Sequence, residues 1–568
     1  MTVSVEETSE RTDNPPDPKR WLALVVILFA SFMDLLDVTI VNVAVPAIQQ
    51  DIGASYSEVA WTTSGYALAF AALLITGGRL GDLYGRRRML LAGMAGFTVS
   101  SLLCGIAADP GTLIAARAVQ GATAALMVPQ VLSIIHVTFP PEERGKVFGV
   151  FSGIGGLALV FGPILGGVLV EADLLGWGWR PIFLLNIPVG ILTFFAALYL
   201  VRESRDADAP RLDLVGVVLA TTGVLMLVYP LTQGRELGWP AWSFGMLGGS
   251  VVVLAGFVAY ERRLIARGGS PLIALELFRA RSFAAGFGVN FLYSVAYGTF
   301  FLMWTICLQT GLGWSAMRAG LTGLPMFLGL LVSAGTTVQF LTPKFGRKVL
   351  FAGGVLLIAG ALGMVWAYDR YGVEITSWEM SAPLFVFGLG MGAVLAPVLD
   401  FALTGVPHKV AGSASGVLNT SGQLGSAVGI ALMAVFFLSG LPGQSGKGVD
   451  AVEPQIRQDL AAVGVTDTRT ADGVLAGFRA CVHDRMADVS PEAVPKSCQE
   501  RLPGVPDGRS PAVREVLDEH LPEIRAEAFS GAFRIGLFSV TGLFALMTVL
   551  MFALPPFARQ EKDAAALM

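Results

Sequence analysis

Residues 78–88 read Gly-Arg-Leu-Gly-Asp-Leu-Tyr-Gly-Arg-Arg-Arg, a charged loop between apolar runs at 59–79 and 88–108. Each run is long enough to cross the hydrocarbon core of a bilayer, which takes about 20 mostly apolar residues. Gly78 permits the close approach of a neighbouring helix, and Gly85 permits a backbone turn that other residues resist. The stretch therefore predicts a short connection between two membrane-spanning helices.

The whole chain repeats this alternation of apolar runs and loops. Of its 568 residues, 54% are apolar and 14% are charged, against about a quarter charged in average soluble proteins. Fourteen runs are predicted membrane spans: 21–43, 59–79, 88–108, 111–134, 147–170, 181–201, 213–232, 242–262, 283–308, 317–340, 347–367, 381–404, 411–437 and 529–555. No signal-peptide cleavage pattern precedes the first run, so we keep it as a true span. A net charge of −4 is too small to imply a nucleic-acid partner.

Lysine and arginine are distributed unevenly between the two sides. The loops after even-numbered spans are rich in them, as Arg86, Arg87 and Arg88 illustrate. The short loops on the opposite side contain only Arg180, Arg235, Arg318 and Arg370. Because positive charge accumulates on the cytoplasmic side, we expect both termini to be cytoplasmic in a bacterial inner (plasma) membrane.

An internal repeat predicts the domain organisation. Tyr84-Gly85-Arg86-Arg87 after span 2 is echoed by Phe345-Gly346-Arg347-Lys348 after span 10, which aligns spans 1–6 with spans 9–14. The predicted segments are a disordered N-terminus (1–20), a six-helix bundle (21–201), two inserted helices (213–262), helices 9–13 of a second bundle (283–437), a large extracytoplasmic loop (438–528), helix 14 (529–555) and a cytoplasmic tail (556–568).

The loop 438–528 contains two of the four cysteines, Cys481 and Cys498. On the external side, a pair that closes a short loop suggests a disulfide, worth about 3 kcal/mol to the loop. Two free thiols are the alternative.

Four segments resemble one family. Residues 78–88 closely resemble the loop signature of the major facilitator superfamily. Leu36-Asp37-Val38-Thr39-Ile40-Val41-Asn42-Val43-Ala44-Val45-Pro46 resembles the first-span signature of its fourteen-span drug:proton antiporters. Arg117-Ala118-Val119-Gln120-Gly121 and Gly162-Pro163-Ile164-Leu165-Gly166-Gly167 resemble the fourth- and fifth-span motifs, and the latter is similar to exporters rather than importers.

The resemblance implies an all-α polytopic membrane protein with two six-helix bundles and two inserted helices. It also implies proton-coupled efflux of small amphipathic compounds, such as drugs or antibiotics, by alternating access. An exporter of a lipid, a siderophore or a secondary metabolite on the same scaffold is the alternative. The expected partners are a small-molecule substrate, protons and the lipid bilayer, and we expect a monomeric functional unit without a cofactor.

An enzyme is a poor interpretation of this sequence. Gly153-x-Gly155-x-x-Ala158 imitates a dinucleotide-binding fingerprint, but it lies within a predicted span and follows no strand. The four histidines are scattered, and no metal-binding spacing is present.

Ionisable residues inside spans are costly, and each is therefore a functional hypothesis. Asp34 and Asp37 lie three residues apart, on one face of span 1, and are assigned to proton coupling, with at least one of them predicted to exchange protons. The alternative for Asp37 is a hydrated position near the outer interface. The resemblance gives Arg117 a role in proton coupling, and a structural tether between helices is the alternative.

Two further groups are predicted to act in the conformational cycle. A breakable cytoplasmic latch comprises Gly78, Asp82, Gly85, Arg86 and Arg87, in which Asp82 faces a helix N-terminus or an arginine; a pure topology signal is the alternative. The antiporter motif comprises Gly162, Pro163, Gly166 and Gly167, which would bend span 5 and pack tightly where, in the family, the two halves meet.

A substrate cavity is predicted from an aromatic stripe on span 9. It comprises Asn290, Tyr293, Tyr297, Phe301 and Trp304, together with Asn419 and Gln423 from span 13. Ordinary core packing is the alternative. Multi-cation exporters of the family carry extra acids in the second half, and Asn419 and Gln423 provide none there, so the resemblance favours a neutral or singly cationic substrate.

Overall fold

The computed structural model describes residues 19–205, 213–234, 237–273, 275–403, 411–487, 495–499, 505 and 509–555. The predictions for the N-terminal segment up to residue 18 and for the tail 556–568 lie outside the described residues. In the described ranges, every regular element is helical.

Twenty α-helices follow one another in these described ranges. They are α1 (Arg20–Ile52), α2 (Tyr56–Tyr84), α3 (Arg86–Gly105), α4 (Pro110–Thr138), α5 (Pro141–Glu171), α6 (Pro181–Leu184), α7 (Asn186–Leu200), α8 (Leu214–Gln233), α9 (Ala241–Ala266), α10 (Arg281–Ile306), α11 (Ala316–Thr322), α12 (Leu324–Thr336), α13 (Thr342–Phe345), α14 (Lys348–Tyr371), α15 (Ser377–Leu403), α16 (Ala411–Phe436), α17 (Leu441–Ala462), α18 (Thr468–Ala487), α19 (Lys496–Gln499) and α20 (Ser510–Leu550). Two π-helical turns, Cys307–Gly311 and Thr337–Leu341, extend α10 and α12.

The helices account for all fourteen predicted spans. Thirteen helical segments of the described chain are long and apolar enough to cross a bilayer. The 31-residue helix α5 occupies the position of the predicted fifth span. The pairs α6–α7 and α11–α12 form spans 6 and 10, and the second half of α20 forms span 14. The predicted fold class, an all-helical protein with two bundles and an inserted helix pair, is confirmed.

Local sequence explains where helices start and stop. Ser55 and Glu58 form a reciprocal capping box at the start of α2. Asp109 accepts the Thr112 amide at the start of α4, where Pro110 occupies the first turn. Between α2 and α3 the chain turns at Gly85 with φ 112°, a conformation that favours glycine.

The bundle has two faces. On the terminal face, where α1 begins and α20 ends, Arg281 Nε donates to the Ala553 carbonyl at 2.8 Å, and Arg347 Nη1 donates to the Leu554 carbonyl at 2.6 Å. On the opposite face, α17 and α18 project with the first turns of α20. We call this second face the domain face.

The segment 438–528 is a helical domain rather than a plain loop. Fully buried side chains of α17, α18 and α20 form its core: Val449, Ile456, Leu460, Val474, Val482, Val513 and Ile524. Cys481 and Cys498 are joined in a disulfide with Cα atoms 4.6 Å apart. The boundary predicted between residues 528 and 529 falls inside α20, because one uninterrupted helix leaves the membrane and continues into the domain.

Candidate functional site

A buried ion pair lies at the centre of the first bundle. Arg117 on α4 pairs with Asp37 on α1, and their side chains are 1% and 0% exposed. Gln120 Nε2 donates to Asp37 Oδ1 at 2.9 Å, and Asn186 Nδ2 on α7 donates to the same oxygen at 3.1 Å. A hydrated Asp37 near the membrane surface is therefore excluded in this structure.

Arg117 is satisfied from several sides. Its Nη1 donates to Gln120 Oε1 at 2.6 Å, and its Nε donates to the Thr62 carbonyl of α2 at 3.1 Å. The guanidinium carbon lies 4.3 Å from the centre of the Tyr66 ring, a cation–π distance. These contacts join α1, α2 and α4, so the charged pair also tethers the three helices to one another.

Asp34 lies near the pair but has a different environment. Its residue is 6% exposed, and within the described residues the Tyr66 hydroxyl is its hydrogen-bond partner. Tyr66 therefore touches both groups: its hydroxyl donates to Asp34, and its ring faces Arg117. The structure brings the three predicted proton-coupling residues into one cluster, with Tyr66 between Asp34 and Arg117.

Sequence reasoning missed two members of this cluster as site residues. Ser101 Oγ accepts from Gln120 Nε2 at 2.7 Å and from Asn186 Nδ2 at 3.2 Å. Tyr66 and Ser101 carry no charge and sit in ordinary apolar spans, so no sequence signal marks them. Asn186, by contrast, is an amide inside the apolar run 181–201, which offered a signal.

The predicted latch residues form contacts on the terminal face. Arg86 donates to Asp82 Oδ1 through Nη2 at 2.8 Å and Nε at 3.1 Å. The carboxylate of Glu203, after α7, accepts the Arg87 amide at 3.1 Å and the Arg88 amide at 3.2 Å. Asp82 thus faces an arginine, one of its two predicted partners.

The glycines of the latch stretch permit close packing. A Cβ atom at Gly85 would lie 2.5 Å from Glu203 Oε1, and one at Gly78 would lie 3.6 Å from Pro129. The Arg87 side chain donates a hydrogen bond to the Leu198 carbonyl. The stretch is therefore tied to the end of α7 within the same bundle.

The antiporter motif on α5 lies between the two bundles. A Cβ at Gly162 would lie 1.9 Å from Thr39 Oγ1, and one at Gly166 would lie 3.0 Å from the Ile40 carbonyl, both on α1. A Cβ at Gly167 would lie 2.6 Å from Met317 Cα on α11 of the second bundle. The Pro163 carbonyl would lie 2.6 Å from a Cβ at Gly320, which is also on α11.

The predicted cavity residues divide into two groups. Asn290 Nδ2 donates to the Leu418 carbonyl at 2.9 Å and to Ser421 Oγ at 3.3 Å, and so it joins α10 to α16. Asn419 is exposed, and Gln423 is partly buried. Asn290 therefore holds α10 against α16, whereas Asn419 and Gln423 are the more accessible amides.

The aromatic stripe itself is continuous. Tyr293 and Tyr297 stack with ring centres 6.2 Å apart, and Tyr297 and Phe301 follow at 5.5 Å. Trp304 and Phe301 line a small cavity of about 10 Å³ between the bundles, together with Val43 and Pro163. In the described chain, Tyr293 Oη and Trp304 Nε1 are buried without a hydrogen-bond partner.

Two helical bundles, an inserted helix pair and a buried charge cluster at the centre of the first bundle define a polytopic membrane transporter. The Major Facilitator Superfamily model matches residues 27–430. The chain belongs to that superfamily.

Similar proteins carry the names of bacterial transport, resistance and export proteins. The chain is 43% identical over 96% of its length to the "Probable actinorhodin transporter" of Streptomyces coelicolor, covering 94% of that protein. It is 34% identical to a puromycin resistance protein of Streptomyces alboniger over 82% of this chain and 88% of that one. It is also 34% identical to the tetracenomycin C resistance and export protein of Streptomyces glaucescens, over 74% and 76%.

A solved structure shares the fold. The crystal structure of a bacterial homologue of the human lysosomal transporter Spinster, in an inward-facing and occupied conformation, superposes with a TM-score of 0.58. It is 16% identical and covers 96% of this chain and 98% of that one.

Proposed function

We propose that the protein exports small amphipathic compounds across a bacterial inner membrane in exchange for protons, with its terminal face in the cytoplasm. The observation that carries this proposal is the cluster of two buried acids on α1, of which Asp37 alone forms an ion pair within the described residues. Ionisable groups inside a membrane protein are costly to retain without a function.

The two acids have different roles in this proposal. The charge of Asp37 is balanced by Arg117 and is stabilised by two amide donors. Asp34 accepts a hydrogen bond from the neutral hydroxyl of Tyr66. Because a buried charge without a counter-ion is expensive, Asp34 is the acid that gains and loses the transported proton.

Helix α1 is positioned to connect proton exchange with opening and closing. Asp34 lies nine residues before Val43, about 13 Å along the helix. The Val43 carbonyl accepts Gln309 Nε2 of the second bundle at 2.8 Å. A change in the Asp34–Tyr66 contact would therefore move a helix that also holds the two bundles together near the domain face.

The proposed substrates are aromatic, antibiotic-like compounds. The relatives carry names that refer to actinorhodin, puromycin and tetracenomycin C. A substrate with hydrogen-bonding groups would satisfy Tyr293 Oη and Trp304 Nε1, which are costly to leave unpaired. Export of a self-made secondary metabolite is the second candidate, and the 43% identity to the actinorhodin transporter favours it.

The test uses purified protein in liposomes. A proton-sensitive dye reports proton movement when puromycin or tetracenomycin C is added, and Asp34→Asn is compared with Asp472→Asn, an exposed acid of the domain. We expect the wild type and Asp472→Asn to show substrate-dependent proton flux, and Asp34→Asn to show none. Full proton flux in Asp34→Asn would remove Asp34 from the coupling role.

A further inference from the structure

A second cavity lies on the domain face, beyond the contact between the two bundles. Its volume is about 320 Å³, within the range of small-molecule sites. Gln50 of α1, Val170 of α5, Gln309 and Trp314 of the α10–α11 connection and Arg525 of α20 line it. We call this cavity the exit vestibule.

Gln309 separates the exit vestibule from the interior. It lines both the vestibule and the small 10 Å³ cavity beside Trp304. Its side chain sits on the π-helical turn Cys307–Gly311, and it donates to the Val43 carbonyl across the bundle interface at 2.8 Å. The vestibule therefore begins where the closed contact between the two bundles ends, on the route that a compound would take out of the protein.

The vestibule carries positive charge. Arg525 reaches it from the helical domain, and Arg318 stacks 3.8 Å above the centre of the Trp314 ring. In the described part of the chain, neither arginine forms an ion pair with an acidic side chain. Arg485 lies close enough to act on Arg525 as a like charge. Asp51, an acid on the same face, is already bound by Trp179 and Arg180.

Arginine next to an aromatic ring that lines a cavity is a recognition arrangement for flat anions. Guanidinium groups bind carboxylates and sulfonates through charge-assisted hydrogen bonds, and tryptophan contributes contact area to a ring. Gln309 and Gln50 add neutral hydrogen-bonding groups to the same wall. The lining thus combines one cation, one large aromatic ring and two amides.

We propose that the exit vestibule binds small aromatic compounds bearing an acidic group, with Arg525 pairing with the anion and Trp314 contacting the ring. Because the vestibule would bind compounds that are being exported, this proposal rests on the proposed function. It also narrows the substrate class to anions, in contrast to the neutral or singly cationic compound expected from the sequence. The aromatic stripe of α10 has no acid and would not repel an anion on its way to the vestibule.

The experiment measures binding to the full-length protein in lipid nanodiscs by equilibrium dialysis. The probe is 2-naphthalenesulfonate, and its uncharged counterpart is 2-naphthalenesulfonamide. Arg525→Gln is compared with the matched control Arg469→Gln. Arg469 lies near the start of α18, about 24 Å along that helix from Arg485, the arginine that acts on Arg525. Empty nanodiscs give the lipid background.

We expect the sulfonate to bind the wild type and Arg469→Gln equally, and Arg525→Gln about tenfold more weakly, a loss typical of a charge-assisted hydrogen bond. Sulfonamide binding should be the same in all three proteins. In the wild type alone, added salt should weaken sulfonate binding and leave sulfonamide binding unchanged. This salt titration keeps the test decisive if Arg525→Gln does not fold.

Equal sulfonate affinity in the wild type and Arg525→Gln, or sulfonate binding insensitive to salt, would overturn the proposal. So would the absence of sulfonate binding to the wild type. The two proposals can fail independently. Arg525-dependent sulfonate binding without proton-coupled export would support the vestibule site and refute proton antiport. Proton-coupled export without Arg525-dependent binding would support antiport and refute the vestibule site.

Discussion

Asp34 and Asp37 occupy the same helix face, yet their surroundings give them different chemistry. Asp37 is enclosed by a cation and two amides, whereas Asp34 meets the hydroxyl of Tyr66. Spacing along the helix could show that the two acids point the same way. It could not show which acid meets Arg117, because that depends on how α1 and α4 are rotated against each other.

We expect Asp37→Asn to destabilise the protein. The substitution leaves the Arg117 charge buried without a counter-ion, a change that typically lowers the free energy of unfolding by about 3–5 kcal/mol. Thermal unfolding in detergent should show a clear fall in the melting temperature. Asp369→Asn, which removes an exposed partner of Arg534, should shift it little.

The double variant Asp37→Asn with Arg117→Gln provides the internal check. It removes both charges, so much of the lost stability should return. If Asp37→Asn alone unfolds at the wild-type temperature, the ion pair is not the stabilising contact that its burial indicates.

Tyr66→Phe tests the connection between Asp34 and the rest of the cluster. The phenyl ring still covers Arg117, but the donor to Asp34 is lost. We expect a lower initial rate of export in liposomes with an almost unchanged melting temperature. Tyr84→Phe, at a 58% exposed position on α2, is the control. Wild-type export by Tyr66→Phe would show that the hydroxyl takes no part in coupling.

At the scale of helices, the hydropathy of the sequence predicts where the helices lie along the chain but not how they pack against one another. All fourteen apolar runs correspond to helices, because a run of about 20 apolar residues has few other stable arrangements. The continuation of α20 from Ser510 into the membrane was missed as a single element, since its two halves differ in polarity. The contact of Gly167 with Met317 involves two different bundles, and therefore it leaves no pattern in the local sequence.

Gly167→Ala should loosen the closed domain face. The new methyl group would lie 2.6 Å from Met317 Cα, so α5 and α11 must separate, and overpacking of this kind costs about 1–3 kcal/mol. The measurement is the labelling rate of Thr305→Cys, which lines the inter-bundle cavity, by a membrane-impermeant maleimide. We expect roughly tenfold faster labelling.

Gly245→Ala is the matched control for this substitution, because nothing lies within 4 Å of a Cβ at that position on α9. Its labelling rate should equal that of the parent Thr305→Cys protein. Identical rates in Gly167→Ala and Gly245→Ala would mean that the α5–α11 contact does not control access from the domain face.

The disulfide should stabilise the helical domain locally. Cys481 and Cys498 are 17 residues apart, and closing a loop of this size contributes about 3 kcal/mol. In the double variant Cys481→Ser with Cys498→Ser, a protease should cut the domain faster while the membrane helices remain protected. Equal cleavage rates with and without the disulfide would contradict this expectation.

At the scale of the whole molecule, the sequence predicted two bundles, an inserted pair and a large external segment. It could not predict the vestibule, which is assembled from α1, α5, the α10–α11 connection and α20. Residues separated by hundreds of positions meet there, and no periodicity along one helix relates them. The proposed cycle uses these parts in order: proton exchange at Asp34, movement of α1 and opening at Gln309.

The proton gradient is sufficient for this cycle. One proton that moves through 100 mV supplies about 2.3 kcal/mol, enough for roughly fifty-fold accumulation of a neutral substrate. An anionic substrate would gain further from a potential that is negative inside, because its own charge leaves in the favourable direction.

In the proposed mechanism, export is driven by protons that pass through the buried acid cluster. The most direct measurement is the rate of substrate transport by purified protein in liposomes, with the proton gradient imposed and then collapsed by an ionophore. We expect accumulation of the substrate against its gradient to stop when the proton gradient is collapsed. Accumulation that continues at the same rate without a proton gradient would contradict it.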